Sequence, residues 1–195
     1  MRIGKGIGIC VMLLASLVLG ACGSDAANAG PVTGTEVSRV KLYQSTEQMA
    51  DDSDLIVVGS VSNTRTVQDL DDTTDFTLAN VKVLATIKGD ADDDTIVVRQ
   101  TGSVEQGDSE LLISSGDTVM LFLVHSGLDG ELADQYYITG ATAGLYSIDA
   151  VDSMSSLARG DDSPADDAHF QRVDMQSGDS LPQTLTMEDV EAMTN

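Results

Sequence analysis

The sequence predicts a mainly β protein: a small antiparallel β-barrel with a short N-terminal helix and a disordered acidic C-terminal tail. Apolar residues recur in short runs separated by turn-forming residues, as they do in sandwiches and barrels. The chain has no Trp, four Tyr and three Phe, so its core must consist mainly of Val, Ile and Leu. The β-branched members of that set favour strands. Strand candidates of about ten residues that contain a glycine or a bulge are typical of strongly curved sheets.

The first 21 residues have the order of a secretory signal peptide. The basic residues Arg2 and Lys5 precede an apolar run over 7–18, and small residues follow in Leu19-Gly20-Ala21-Cys22. The apolar run is shorter than the roughly 20 residues that a membrane-spanning helix needs. We therefore predict that residues 1–21 form a removable leader.

The Leu19-Gly20-Ala21-Cys22 motif resembles the lipobox of bacterial lipoproteins. The resemblance implies that the Cys22 thiol receives a diacylglyceryl group and that the chain is cut just before it. Two acyl chains attach a protein stably, whereas one gives only marginal binding. Cys22 is thus the predicted lipid-attachment site, and the predicted location is the extracytoplasmic face of the cell membrane. The alternative is an ordinary secretory leader that is cleaved near Ala21.

Charge limits the partners of the mature chain. The leader carries two of the ten basic residues and none of the 32 acidic ones, so the remainder has a formal charge of 8 minus 32, or −24. Such a surface repels phosphate backbones, which excludes nucleic acid as a partner. It also repels anionic headgroups, so we expect membrane contact through the lipid alone. With Cys10 removed and Cys22 acylated, no disulfide or thiol chemistry is predicted.

The mature chain is predicted to begin with a flexible tether and a short helix. Residues 22–34 are small, polar and rich in glycine, as flexible linkers are. The barrel domain is placed over 35–150. Within it, Ser45 as a cap with Gln48 three residues later predicts a helix over 46–51.

Six strands are predicted after this helix. Gly59 lies inside the first and is typical of a bend. In the second, the apolar phase changes between Leu78 and Val81, which predicts a bulge near Ala79 or Asn80. The fourth is the most apolar segment and is predicted to be central. The predicted strands cover residues 55–63, 76–88, 95–101, 118–124, 135–139 and 144–148.

The composition changes after Ala150. Residues 151–184 are rich in Asp, Ser and Gly with scattered apolar residues, a composition that predicts disorder. We therefore interpret 151–195 as an acidic low-complexity tail. Within it, Thr186 as a cap and Asp189 three residues later predict a short helix over 187–193.

The order of these features resembles a known family. The motifs are Ser53-Asp54-Leu55-Ile56-Val57-Val58-Gly59-Ser60-Val61, Ile87-Lys88-Gly89, Gly116-Asp117-Thr118-Val119-Met120-Leu121-Phe122-Leu123 and Tyr137-Ile138-Thr139-Gly140 with Gly144 beyond. They are similar to small bacterial lipoproteins with a netrin-like domain, a module that also occurs in tissue inhibitors of metalloproteinases. Over residues 43–148, the resemblance implies an oligonucleotide/oligosaccharide-binding (OB) type barrel. The inhibitors chelate the zinc of their target through a free N-terminal Cys. An acylated Cys22 would not be free, so this mechanism of inhibition does not carry over to the chain.

Two catalytic motifs are interpreted as chance matches. Gly178-Asp179-Ser180-Leu181 spells the nucleophile block of an esterase superfamily, and Asp166-Asp167-Ala168-His169 spells its Asp-x-x-His block. The blocks occur in reversed order, and both lie in the predicted tail, which cannot hold a base beside a nucleophile. No catalytic residue is therefore predicted.

Binding motifs are equally weak. Two clusters of aspartates could form a calcium site, since calcium prefers oxygen ligands: Asp69, Asp71, Asp72 and Asp75, and Asp90 with Asp92–94. The second cluster lacks the glycine and the final Glu of an EF-hand loop, so the favoured interpretation is a solvated turn. His125 is predicted to end a strand, and neither it nor His169 has a ligand partner in sequence. The integrin-type tripeptide Arg159-Gly160-Asp161 is interpreted as a chance match. No metal or cofactor site is predicted.

The sequence as a whole favours a non-enzymatic function. We expect a lipid-anchored extracytoplasmic binding module whose barrel contacts an unknown protein or envelope ligand through a loop face or an open edge. The alternative is an inhibitor of a secreted peptidase that acts by a route other than zinc chelation.

Overall fold

The computed structural model describes residues 41–91, 93–107, 111–148, 152 and 167–194, which all fall in one compact unit. The helices are α1 (Thr46–Asp51) and α2 (Met187–Thr194). The strands are β1 (Leu55–Val67), β2 (Phe76–Lys88), β3 (Thr95–Thr101), β4 (Thr118–His125), β5 (Gln135–Ile138), β6 (Leu145–Ile148), β7 (Phe170–Arg172) and β8 (Thr184–Leu185). Short 3₁₀ turns cover Val104–Gln106 and Gly130–Leu132.

Five strands close into a barrel in the order β1-β2-β3-β5-β4, with β4 returning to β1. The predicted small OB-like barrel is confirmed, with one departure from a fully antiparallel arrangement. The β3–β5 pairing is parallel over Val97–Arg99, whereas the other four pairings of the barrel are antiparallel. The helix predicted before the first strand is confirmed as α1, with the Ser45 side chain accepting a hydrogen bond from the Gln48 amide.

The bulge predicted in β2 near Ala79 or Asn80 is not at that place, because residues 76–82 of β2 pair with β3 without interruption. The extra residue there is Ser62 of β1, where the β1–β2 register steps from Val61↔Val81 to Asn63↔Asn80. The extra residues on β2 lie further along the strand, at Leu84 and Ile87. The change of apolar phase in β2 has another cause: Phe76 and Leu78 are buried on the outer face of the barrel, 7% and 2% exposed. A strand that is covered on both faces need not alternate.

Buried apolar side chains form two clusters, one inside the barrel and one against the outside of its wall. The inner cluster comprises Leu55, Val57, Val61, Ala79, Val81, Ile96, Val98, Ile113, Val119, Leu121, Leu123, Tyr136, Ile138 and Leu145. The outer cluster comprises Tyr43, Met49, Ala50, Ile56, Val58, Met120, Phe122, Ala143, Tyr146, Ala168, Phe170, Leu181, Leu185 and Val190. Successive residues of β1 and β4 alternate between the clusters, which explains why both strands are continuous apolar runs.

The segment after residue 166 is ordered, so the predicted disordered tail over 151–195 is wrong for residues 167–194. β6 pairs with β4 outside the barrel, β7 pairs with β6, and β8 pairs with β7. Phe170, Leu185 and Val190 are at most 2% exposed and complete the outer cluster. The helix predicted over 187–193 is confirmed as α2. Residues 151, 153–166 and 195 of the predicted tail lie outside the described residues.

Helix α1 is fixed to the barrel by a lysine from β2. The ammonium group of Lys88 donates hydrogen bonds to the carbonyl oxygens of Ala50 (2.6 Å) and Ser53 (2.8 Å). The last carbonyls of a helix have no partner within the helix, and a cation there also interacts favourably with the helix dipole. Because Lys88 ends β2, this contact joins α1 to the end of the barrel where β1 begins.

Candidate binding site

A cleft lies at the end of the barrel where β3 begins and β4 ends. Its volume is about 370 Å³, within the roughly 300–1,000 Å³ that is usual for small-ligand sites. The lining residues come from β3, β4, β5 and the two loops that lead into β3 and β5. They are Asp93, Thr95, Ile96, Val97, His125, Asp134 and Tyr136.

The strand register brings the floor of the cleft together. Tyr136 pairs with His125 of β4 on one side and with Val98 of β3 on the other. Ile96 and Tyr136 belong to the inner cluster and are 5% and 7% exposed. Val97, the next residue of β3, points to the opposite face and is half-buried. The cleft therefore has an apolar and aromatic floor that is continuous with the barrel core.

An imidazole lies over the aromatic part of this floor. The rings of His125 and Tyr136 are 4.8 Å apart between centroids and inclined by 31°, a favourable geometry for an aromatic pair. The backbone amide of His125 donates to the Asp54 carboxylate at 2.9 Å, which fixes the end of β4. His125 is the last residue of β4, so its predicted place at a strand end is confirmed.

The rim of the cleft is acidic. Asp93 and Asp134 are exposed and lie on the two loops that flank the cleft. Among the residues that the structure describes, no group of three or more His, Cys, Asp or Glu side chains is arranged to hold a metal ion. The side chains of the cleft therefore form a negatively charged recess.

A buried ion pair lies beside the cleft on the outer face of β3. Arg99 follows Val97 by two positions and is 0% exposed. Its guanidinium donates to both carboxylate oxygens of Asp69, at 2.7 and 2.6 Å, and its Nε donates to Gln135 Oε1 at 2.8 Å. The hydrogen bonds from Arg99 lower the pKa of Asp69 below its ordinary value. The pair fixes the β1–β2 loop against β3 and fixes Gln135 next to the cleft residue Tyr136.

The carboxylates of the β1–β2 loop make internal hydrogen bonds, which the sequence reading did not anticipate. Asp71 accepts from the amides of Thr73 and Thr74 and from the Thr73 hydroxyl, and these bonds lower its pKa to about 2. Asp75 accepts from Gln68 and from the Ser103 hydroxyl. Together with the Arg99 pair of Asp69, these contacts make the cluster a network that shapes the loop.

The residues of the two esterase-like blocks contact other partners. Asp179 is buried and accepts from the Tyr43 amide at 2.6 Å. The Ser180 hydroxyl contacts Gln44 Oε1 at 3.4 Å, and the ring of His169 contacts Asp152 at 3.2 Å. The segment is ordered, contrary to the reason given above for setting these blocks aside. Its contacts do not join Ser180 to His169 within the described part of the chain.

Other residues singled out in the sequence fall outside the described ranges. They are the lipid-attachment candidate Cys22, the tripeptide Arg159-Gly160-Asp161, Asp92 and Asp166.

The fold and the cleft define a small OB-like β-barrel with a second layer packed on its outer wall. Comparison of the chain with models of known protein families and with curated protein sequences found no match. Across the described ranges, the helices are too short or too polar to cross a membrane.

Proposed function

We propose that this chain is a lipid-anchored extracytoplasmic protein whose barrel is a non-enzymatic binding module. The leader over 1–21 and its final Leu19-Gly20-Ala21-Cys22 motif support export and acylation of Cys22. The strand order of the barrel is compatible with the netrin-like resemblance, although many functions share this fold. The lipid on Cys22 holds the domain at the membrane, and the cleft faces a protein or envelope partner.

The cleft is the observation that carries the binding role. It combines an apolar floor with charged and hydrogen-bonding groups at its rim, and recesses of this composition and size commonly bind ligands. The serine and histidine of the esterase-like blocks contact Gln44 and Asp152. A nucleophile needs a base within hydrogen-bond reach, so the binding role has more support than an enzymatic one.

Filling the cleft tests the binding role. The soluble domain should span residues 35–195, because residues 168–190 contribute to the outer cluster. Thr95→Trp places an indole in the cleft, whereas Thr101→Trp places one at the other end of β3; both threonines are exposed. We expect the domain and the Thr101→Trp variant to capture the same envelope component and Thr95→Trp to lose it. Equal capture by both variants would remove the cleft from the binding role.

Anchoring is tested separately with Cys22→Ala in the full chain. The expected result is transfer of the protein from the membrane fraction to the soluble fraction, with a diacylglyceryl-modified N-terminus on the unaltered protein by mass spectrometry. A protein with an unmodified N-terminus at another residue would disprove acylation and leave the binding role of the barrel open. A screen of the same soluble domain against secreted peptidases tests the alternative, inhibition without zinc chelation.

A further inference from the structure

The second half of β1 forms an open edge of the barrel. The pairing of β1 with β4 ends at Ser60, and the Val61 amide and carbonyl bond to the turn before β4 at 2.8 Å each. After the bulge at Ser62, residues 63–67 pair with β2 on one side. On the other side they have no paired strand and no backbone hydrogen bond within the part of the chain that the structure describes. We call residues 63–67 the β1 edge.

The phase of hydrogen bonding in β2 shows which backbone groups lie on the open side. The Val83 amide donates to the Asp94 carbonyl at 2.9 Å, and β2 pairs with β3 without a shift before that point. The odd-numbered residues of this part of β2 therefore bond to β3, and the even-numbered ones bond to β1. These even-numbered residues oppose the odd-numbered residues of the β1 edge. The amides and carbonyls of Thr64 and Thr66 consequently point away from β2, into the space beside the edge.

The side chains of the β1 edge suit pairing with another strand. Thr64 and Thr66 are exposed and β-branched, and such residues favour strands. Natural edges are commonly protected by proline or by several charges. The β1 edge has no proline and one charge, that of Arg65, and the bulge at Ser62 lies before it. An added strand can therefore bond to two amides and two carbonyls, which is the usual basis of strand addition to a sheet edge.

The charge of Arg65 defines a preference for the added strand. Arg65 is exposed and forms no hydrogen bond or ion pair with the residues that the structure describes. The basic residues that do bond to oxygen atoms of the chain are Lys41, Lys88, Arg99 and Arg172. The charge of Arg65 is the smallest of the causes that lower the pKa of Asp69. A carboxylate directly opposite Arg65 on an antiparallel strand would stabilise the pairing, because opposite charges attract in cross-strand positions.

We infer that the β1 edge accepts an extended segment of a partner protein as an additional antiparallel strand, with an acidic side chain opposite Arg65. A second copy of this chain fits less well. The symmetric pairing that uses all five residues would place Arg65 opposite Arg65, where like charges destabilise a sheet. The formal charge of 8 minus 32, or −24, on each chain without its leader also opposes association of two copies.

The β1 edge is separate from the cleft. Val67 pairs with Phe76, and Phe76 pairs with Thr101 at the end of β3. Thr95, at the start of β3, lines the cleft. The edge and the cleft therefore lie at opposite ends of β3, and the inference does not depend on a ligand in the cleft.

A cyclic β-hairpin peptide tests the pairing, because a preorganised strand loses little conformational freedom on binding. Its outer strand is Val-Thr-Glu-Thr-Val, and two matched hairpins carry Gln or Lys in place of the Glu. The isotope-labelled 35–195 domain is titrated with each hairpin by NMR. We expect saturable shifts of the Thr64 and Thr66 amide resonances. The Glu hairpin should bind about two- to fivefold more tightly than the Gln hairpin, and the Lys hairpin should bind most weakly. The absence of shifts at both amides would overturn the inference.

A backbone variant and its matched control locate the contact. Thr66→Pro removes an amide donor from the open side and leaves in place the amides that bond to β2. Thr66→Ala changes the same side chain and keeps the amide. Thr66→Pro should weaken binding of the Glu hairpin by about fivefold or more, whereas Thr66→Ala should change it by less than about twofold. Equal binding by the two variants would exclude the β1 edge as the contact.

A charge reversal keeps the inference testable if Thr66→Pro does not fold. Arg65→Glu alters an exposed side chain. This variant should reverse the order of the hairpins, so that the Lys hairpin binds about two- to fivefold more tightly than the Glu hairpin. A merely structural role of Arg65 would not produce this reversal. An unchanged order of affinities would reject the acidic partner.

Two further measurements separate the β1 edge from other contacts. Thr95→Trp should bind the Glu hairpin as tightly as the unaltered domain does, and a loss of binding would place the hairpin in the cleft and overturn the inference. Sedimentation equilibrium measures self-association of the domain. Self-association that Thr66→Pro abolishes would make a second copy the occupant and reject the partner protein. Because the two surfaces are separate, failure at the edge leaves the cleft to its own experiment.

Discussion

Arg99 and Asp69 lie 30 residues apart in sequence and form a two-pronged ion pair with N–O distances of 2.7 and 2.6 Å. The guanidinium side is fully buried, and the carboxylate side chain is 31% exposed. The ring of Phe76 lies against the guanidinium, 4.8 Å from its central carbon. Asp69 thus compensates a cation that has lost its water, and it fixes the β1–β2 loop while doing so.

The first prediction is that Asp69→Asn destabilises the barrel. Removal of the carboxylate leaves the buried charge of Arg99 uncompensated. Because water reaches the Asp69 side, the free energy of unfolding should fall by about 2 kcal/mol, which is less than the loss for a fully enclosed pair. Urea denaturation at neutral pH measures it. Asp72→Asn, which neutralises an exposed carboxylate of the same loop, should change the free energy of unfolding by less than about 0.5 kcal/mol. Equal losses in the two variants would contradict a specific role for the pair.

The second prediction concerns pH. The pKa of Asp69 is lowered in the folded protein, with the hydrogen bonds from Arg99 as the largest cause. A carboxyl with a lowered folded pKa contributes stability above its unfolded pKa, near 3.9, and loses it as the pH falls through the folded value. The difference in free energy of unfolding between the unaltered protein and Asp69→Asn should therefore have its full value at pH 6 and become smaller below about pH 4. A difference that stays constant down to pH 2.5 would disprove the linkage.

The sequence predicted the barrel because its signals are local. Ser45 and Gln48 define the start of α1, and the apolar runs that begin at Leu55 and Thr118 define the wall strands. These runs also contained information that was not used. Ile56 and Met120 have apolar neighbours on both sides, so a second layer had to cover the outer face of the wall. Part of that layer comes from apolar side chains in the acidic C-terminal segment, among them Phe170, Leu185 and Val190.

The candidate site was less accessible to sequence analysis. Tyr136 and Ile96 come together through a parallel β3–β5 pairing of three residues, and no local pattern specifies that register. Likewise, Asp69 and Arg99 appear in sequence as unrelated polar residues. The available signal was Arg99 directly after the apolar run Ile96–Val98 of β3, because a charged residue in a buried strand requires a partner.

The third prediction tests the second layer. Phe170 is 0% exposed and lies in the outer cluster, so Phe170→Ala should cost about 3–5 kcal/mol of unfolding free energy. Met175→Ala removes a side chain that is 47% exposed from the same segment and should cost less than about 1 kcal/mol. Chemical denaturation of the 35–195 domain measures both. A Phe170→Ala variant as stable as Met175→Ala would mean that the segment does not pack on the barrel.

The fourth prediction concerns the attachment of α1. Lys88→Met keeps an unbranched apolar stem but removes the lysine donor from two carbonyls. The Ala50 carbonyl keeps a hydrogen bond from the Ser53 amide at 3.2 Å, whereas the Ser53 carbonyl loses the donor described above. The expected loss is about 1–3 kcal/mol, the usual effect of an unsatisfied, partly buried acceptor. Lys88→Arg retains a cationic donor and should recover most of the stability. If Lys88→Arg is as unstable as Lys88→Met, the lysine acts through packing of its stem.

The fifth prediction concerns the turn between β5 and β6. Ala141 has a φ of +63°, the one positive value for a non-glycine residue in the described part of the chain. This conformation costs an L residue roughly 1–2 kcal/mol relative to glycine, while glycine makes the unfolded chain more flexible. Ala141→Gly should therefore raise the free energy of unfolding by about 0.5 kcal/mol. Ala133 has a φ of −63° and a ψ of −34°, so Ala133→Gly relieves no strain and should lower stability by about 0.5–1 kcal/mol. Opposite signs for the two substitutions, measured by urea denaturation, are the decisive result, since a general effect of added glycine would destabilise both.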